Sequence, residues 1–511
     1  MGIFDRFKSK PAPQTIIKRE YHGINQGRLF ADFNASERSA DSELRFALKT
    51  LRNRSRDLAI NNEYIRRYFE LLKTNVVGEK GILLQSKALD SVGNLDRSGN
   101  DALEKAFARW ARYGNCTVCG KMSWIDAQKL AIEMLAKDGE VFIIKHRNTQ
   151  FRDSFALEFV EADLVDETLN KKLDGGREIR MGIELDKYKR AIAYHFLTYH
   201  PGDSDYVTVK REKKYVRVPA ERVIHLYRQM RPAQTRGEPW LAPAIPAIKQ
   251  LGAFREAAVI NARVGASKMG FIVNQGGDSF VADDYDGNTP IIDAEPGTFH
   301  TLGPNQSVQS FEPAFPNNEF DAFHKSILRG IASALGVSYT ALSNDLEATS
   351  YSSIRQGALE ERDGYRNITR FFIDHFVCPV FDEWLAAAME FDSFGIPVSQ
   401  FNKFSESAEF RGRGFSWVDP QKEMTAAVTG LKNGILSLGH VASQYGMDTE
   451  ELLSQIARDK QLAEQFGVEY AIEPYGQTGT REEVDEDDDE AERQFNEALA
   501  ESLKRAFSVE A

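Results

Sequence analysis

The 511-residue chain carries 64 Lys and Arg against 76 Asp and Glu, a formal charge of −12. Its 42% hydrophobic and 27% charged residues are those of an ordinary globular protein of two to four domains with ample core. No apolar run nears the ~20 residues of a membrane span, three cysteines are too few for a disulfide framework, and the basic domain of a surface nucleic-acid binder is missing.

The charge is uneven. Residues 475–511 hold 12 acidic and 4 basic residues, a local −8 that leaves the body near neutral at −4. The N-terminus, MGIFDRFKSKPAPQ, has no apolar core of an export signal, so a cytosolic site of synthesis is expected.

Residues 1–38 mix Pro, Gly and polar residues without periodicity and read as a flexible arm. Its Arg6, Lys8, Lys10, Lys18 and Arg19 are either a solvated tail or a contact for a phosphate surface. Leu44, Leu48, Leu51, Leu58, Ile65, Tyr68 and Leu72 recur at helical spacing, which predicts a helix over 42–74. Residues 82–88 alternate as a strand does, and helices are predicted over 101–113 and 124–137.

Between those helices lies Cys116-Thr117-Val118-Cys119, the one chemical-looking motif in the chain. Structural zinc needs four ligands and no second pair is near. A thioredoxin-type pair opens a helix after a strand, whereas this one follows a helix. Two packing cysteines are expected, with a metal- or thiol-dependent enzyme using Cys116 and Cys119 as the alternative.

Strands are predicted over 141–147, 156–161, 181–185, 191–199, 206–209 and 215–218, from β-branched and aromatic content between Gly-, Asp- and Pro-rich turns. His195, His200 and His225 lie in this α+β region without ligand spacing, and read as strand histidines. Pro243 and Pro246 delay a long helix until about 247, after which it runs to 269. Gly252, Ala253, Ala257, Ala258, Ala262, Gly265 and Ala266 let a neighbour approach it closely. Residues 271–315 turn Gly- and Pro-rich with short apolar pieces, a small β or irregular insert.

Phe320, Phe323, Ile327, Leu328, Ile331 and Leu335 then describe a helix that Gly336 closes. A polar loop over 343–353 follows, and a second helix from 351 to about Pro379. No Lys or Arg falls between Arg329 and Arg355, while Asp345 and Glu347 sit in the middle. Residues 398–415 read as short strands, with Arg411-Gly412-Arg413-Gly414 too short for a dinucleotide fingerprint. Asp419-Pro420 opens a helical block reaching 466. The acidic run 482–492 precedes Phe495, Leu499, Leu503 and Phe507, either a solvated tail or a docking peptide.

Three stretches carry a resemblance: ALGVSYTALSNDLEATSYSSIRQG within 334–357, Gln234-Thr235-Arg236-Gly237 ahead of a helix, and WVDPQKE at 417–423 followed by Lys432-Asn433-Gly434. In identity and order, over roughly 40–468, they resemble the lambda-like portal proteins of tailed bacteriophages. The resemblance implies an α+β portal-type fold: arm 1–38, α/β wing 39–240, stem helix 241–269 and small β-containing clip 270–318. A second stem helix 319–336, tunnel loop 337–350, long tunnel helix and wing return 351–416, helical crown 417–473 and acidic tail 474–511 complete it.

It also implies a cyclic homo-oligomer, usually of twelve copies, at the capsid vertex of the virion, assembled in the bacterial cytoplasm. Double-stranded DNA would pass non-specifically through its channel during packaging and ejection. Partners would be the terminase large subunit, the major capsid protein and head-completion or tail proteins, with no membrane. Ser343, Asn344, Asp345, Glu347, Thr349 and Ser350 would line the narrowest part. No catalytic residue, cofactor or metal is expected. The nearest approach to a phosphate-cradling loop, Gly114 to Gly120-Lys121, is one residue too long and places Met122 where a hydroxyl is required.

Overall fold

A computed structural model describes residues 37–203, 214–266, 270–274, 306–310, 320–347, 351–415, 420–444, 447 and 449–468. The N-terminal arm, the strand expected at 206–209 and the acidic tail with its amphipathic segment lie outside them.

Helix α1 (Ala40–Asn61) is separated from α2 (Glu63–Leu72) by Asn62, whose side chain accepts from the Tyr64 and Ile65 amides. The single helix expected over 42–74 is therefore two, because an extended Asn62 caps the second while ending the first. One wide turn, Lys73–Val77, extends α2. Strand β1 (Leu83–Ser86) pairs antiparallel with β12 (Ala408–Arg411), joining segments more than 300 residues apart in the chain.

Helices α3 (Arg97–Trp110) and α4 (Trp124–Asp138) stand where their apolar spacing puts them. Ser123 and Asp126 form a capping box at the start of α4, satisfying donors a helix start leaves open. Strands β2 (Glu140–Arg147), β3 (Phe155–Val160) and β9 (Val223–Tyr227) form an antiparallel sheet in the order β3-β2-β9. Strand β9 was not expected. A second antiparallel sheet runs in chain order through β4 (Lys171–Lys172), β5 (Glu178–Arg180), β6 (Ile183–Leu185), β7 (Ala191–Leu197) and β8 (Tyr215–Pro219).

After the sheets come α5 (Ile245–Ala266), the antiparallel pair β10 (Gly270–Asn274) and β11 (Gln306–Ser310), and α6 (Phe320–Leu335). Phe254 of α5 stacks on Phe320 and meets Phe323 of α6 edge-on, with centroids 5.3 and 4.9 Å apart. A short helix α7 (Tyr339–Ser343), which was not expected, precedes the polar loop and shares only Ser343 with it, and α8 (Tyr351–Phe372) follows.

The second helix does not stop near Pro379. One π-type turn, Ile373–Val377, links α8 to α9 (Cys378–Glu390), with Pro379 in its first turn. A regular helix would clash the proline ring with the carbonyl four residues back, and the wider turn with Pro early in α9 avoids this. Residues 398–415 are mostly helical rather than stranded: a 3₁₀ turn and α10 (Phe401–Glu406) precede β12. Helices α11 (Pro420–Lys432), α12 (Leu438–Gln444) and α13 (Thr449–Gln465) end the described chain.

The core lies where α3, α4, α9 and the π turn converge. Phe107 meets Trp384 edge-on at 4.9 Å, Trp124 lies 5.3 Å from Phe376, and Trp110 donates to the Phe155 carbonyl at 2.9 Å. A smaller cluster of Phe142, Val165, Ile183, Tyr194 and Phe196 sits between the two sheets.

Candidate functional site

The turn from α6 into α8 is built from the backbone outward. Gly336 adopts φ +69°, which a side chain disfavours, and Val337 donates back to the Ala332 carbonyl at 3.1 Å to close α6. Ser338 caps α7 through its hydroxyl, which accepts from the Ala341 amide, and Arg67 of α2 donates to the Ala341 carbonyl at 3.3 Å. Asn344 then takes φ +56° and reverses the chain.

The expected channel residues that are described fall on this turn. Ser343 donates to the Tyr339 carbonyl at 2.7 Å and accepts from the Asp345 amide. Asp345 accepts from the Tyr339 hydroxyl at 2.7 Å and from the Glu347 amide at 3.0 Å. Those two bonds, with Lys325 beside them, hold its carboxyl below the usual range. Thr349 and Ser350 lie outside the described residues.

Lys325 of α6 is a partner of this turn that the local pattern did not disclose. Its Nζ lies 2.8 Å from Asp321, 3.5 Å from Asp345 and 3.7 Å from Glu347. The Asp321 hydrogen bond is the main cause that raises its own pKa. The i, i+4 spacing to Asp321 is legible in sequence, but the reach to Asp345 exists only once α7 folds the chain back. Three carboxylates around one ammonium leave the turn negative, with Glu347 largely exposed. Such a surface orders its own loop and gives no grip to phosphates.

Gln234-Thr235-Arg236-Gly237 organises the interior instead. Gln234 Oε1 accepts from the Met230 and Arg231 amides, and Thr235 gives both its amide and its hydroxyl to Asp41. Arg236, fully buried, donates to Glu140 through Nε at 2.9 and 2.8 Å and through Nη2 at 2.6 Å. Its remaining donors reach the carbonyls of Ala162, Val165 and Met181. Burial works to raise the Glu140 carboxyl, but Arg236 and His225 outweigh it and hold it far below the ordinary range.

His195 and His225 lie in strands as expected, but His200 lies past the end of β7 at Leu197, and each of the three has a carboxylate beside it that no sequence spacing shows: His225 with Glu140 at 3.0 Å, His195 with Glu184 at 3.5 Å, and His200 with Glu161 at 3.1 Å. Among the described residues, Glu161, Asp163 and His200 are the one grouping whose ligand atoms lie within 4.8 Å of one another. Arg52 takes one Asp163 oxygen at 2.9 Å and Arg56 takes the other, so guanidinium groups already neutralise that carboxylate.

Cys116 and Cys119 have unlike surroundings. Cys116 is buried, its thiol pushed up to about 12 by that burial, and Cys119 is exposed beside the Thr117 hydroxyl, which lowers its thiol.

The family description "Phage portal protein, lambda family" matches residues 26–368. This chain belongs to that family. The probable portal protein of Halomonas phage phiHAP-1 is 34% identical over 503 residues, covering 96% of each chain. The portal protein of Escherichia phage N15 is 22% identical over 86% of this chain and 90% of its own. Portal protein B of Escherichia phage lambda is 21% identical over 86% of this chain and 89% of its own. Among solved structures, a chain of the neck of an empty GTA particle computed with C6 symmetry aligns over 81% of this portal chain and 94% of its own. It has 12% identity and a TM-score of 0.42.

The resemblance carried by the three sequence stretches is thus borne out at family level, and the chain is a phage portal protein. That identity leaves the Cys116–Cys119 enzyme alternative without support.

Proposed function

We propose that this portal chain closes into a ring of twelve copies at the capsid vertex and forms the channel through which double-stranded DNA enters and leaves the head. Near-complete alignment to a portal relative, 96% of each chain, carries the reading. In this account residues 39–240 are the wing, α5 and α6 the stem, 270–318 the clip, 337–350 the tunnel loop, α8 the tunnel helix and 417–473 the crown. The terminase large subunit, major capsid protein and head-completion or tail proteins dock on the ring.

Cyclic closure needs two different complementary faces per subunit. Helix α5 offers a candidate for one. Gly252, Ala253 and Ala257 are exposed on it, as are Val259 and Ile260 at 51% and 50%. Exposed Lys249, Glu256 and Arg263 share that side of the helix, so small and apolar residues that allow close approach by the next copy stand beside charges of both signs that can pair across the contact. The turn Ser343, Asn344, Asp345 and Glu347, with Thr349 and Ser350, faces the axis, and its negative surplus lets a duplex slide. Native mass of the purified protein tests the ring: a species near twelve times 57.6 kDa supports it, and a monomer at every concentration overturns it.

A further inference from the structure

Three guanidinium groups converge on one ring. The carbons of Arg362, Arg366 and Arg413 lie 5.4, 5.7 and 5.4 Å from the centroid of Phe415. Arg362 and Arg366 project from α8, whereas Arg413 and Phe415 follow β12, so two elements distant in sequence build one cationic patch.

Cation–π contact offsets part of the crowding, but three like charges about one ring lie within about a Debye length of each other and repel with little screening. Burial and the nearby Arg366 and Arg413 charges both press the Arg362 guanidinium below its ordinary value, against the pull of Glu423. The described acids here are few. Asp363 pairs with Arg366 at 2.8 Å, and Glu423 lies 3.7 Å from Arg355, which adds a fourth cation. Arg413 spends its Nη1 on the Thr74 carbonyl and the Asn75 side chain, both neutral. The patch keeps a positive surplus in a chain of net charge −12.

We propose that the arginine patch around Phe415 docks the acidic run 482–492 of the same chain. Nine of those eleven residues are Asp or Glu, a density of carboxylates that forked guanidinium groups bind well. The run also lies within reach. Arg411, two residues before Arg413, donates to the Met447 carbonyl at 2.6 Å, which sets the start of α13 beside the patch. Helix α13 (Thr449–Gln465) is about 25 Å long at 1.5 Å per residue. Residue 482 is 14 positions beyond Val468, a span of up to ~48 Å extended, enough to return. Docked, the run stands in for a polyanion and closes the patch to nucleic acid.

Full-length DNA-free chain carrying Arg366→Lys, and separately Arg362→Lys, keeps the charge and adds an amine that a zero-length carbodiimide couples to an adjacent carboxylate. Mass spectrometry should find position 366 or 362 joined to the peptide containing 482–492, with the yield falling several-fold between 50 and 500 mM salt. Cross-links from these positions to Glu423 or Asp363 alone would overturn the proposal. In a second arm the nine acids are changed to Gln or Asn in the full chain, and binding of a 30-base-pair duplex is measured. Tighter binding, by several-fold and dependent on Arg362 and Arg366, supports a patch uncovered by loss of its tail. Equal binding to wild type assigns the patch to nucleic acid or to no ligand and overturns it.

Discussion

Arg236 and Glu140 form a bidentate ion pair with neither side chain accessible to solvent. The pair ties the segment after β9 to the first residue of β2, and Gly237 adds its amide to Glu140 at 3.1 Å. Removing Arg236 leaves the buried Glu140 charge with only the longer Arg52 contact at 3.4 Å and the His225 ring at 3.0 Å. Arg236→Met should therefore cost about 3–5 kcal/mol, read as a lower denaturant midpoint. An unchanged midpoint would mean that the pair is not closed in solution. Gly237 admits no alternative either, because a Cβ there would lie 2.1 Å from the Gly139 carbonyl oxygen.

A pH dependence follows from His225, stacked between Phe142 and Tyr227 at 4.2 and 4.4 Å and facing Glu140 and, more distantly, Arg236. Burial is the largest cause that lowers its pKa, against the pull of Glu140. In the unfolded chain the imidazole titrates near ~6.5. Its contribution to stability is then complete above that pH and lost as pH falls toward the depressed folded value. His195 and His324 are lowered too and act in the same direction. The melting temperature should be level from pH 8 to 7 and fall from about 6.5 downward, with a shallower fall in His225→Gln. Identical slopes in both proteins would exclude His225 as a source.

How far the sequence speaks depends on the range of the interaction. Helix α6, its stop at Gly336 and the proline start of α11 are local, and apolar spacing with punctuation reads them correctly. Passage of α8 into α9 is not local: Phe372, Phe376, Phe381 and Trp384 are buried in the common core, and that burial carries the helix past Pro379. Lys325 beside Asp345 was equally hidden, since 20 positions separate them and only the α7 reversal brings them together. Gln234-Thr235-Arg236-Gly237 stood out by resemblance alone. Its partners Asp41 and Glu140 lie 194 and 96 positions away from Thr235 and Arg236, beyond any pattern.

The two cysteines of the Cys116–Cys119 pair should differ in reactivity. At pH 8 an alkylating reagent should modify Cys119 in the native protein and spare Cys116, whose thiol is buried and protonated. Peptide mapping reads the outcome. Equal labelling of both, or stoichiometric zinc in elemental analysis, would reopen a chemical role for the pair.

Charge on the α7–α8 turn should govern sliding. Asp345→Lys with Glu347→Lys removes both carboxylates that Lys325 faces besides Asp321 and supplies two phosphate contacts per copy. Rings should still assemble, while DNA movement slows, most at low salt where screening is weakest. The rate of packaging or ejection against ionic strength is the measurement, and wild-type rates at every salt concentration would remove this turn from the channel.

A three-dimensional reconstruction of the purified ring locates both the subunit contact and the turn in one experiment. The expected map shows closed cyclic symmetry with twelve copies, Val259 and Ile260 of α5 covered by the neighbouring subunit, and Asp345 among the residues nearest the axis. A ring with Asp345 on its outer wall, or particles showing only monomers and two-fold dimers, would contradict it.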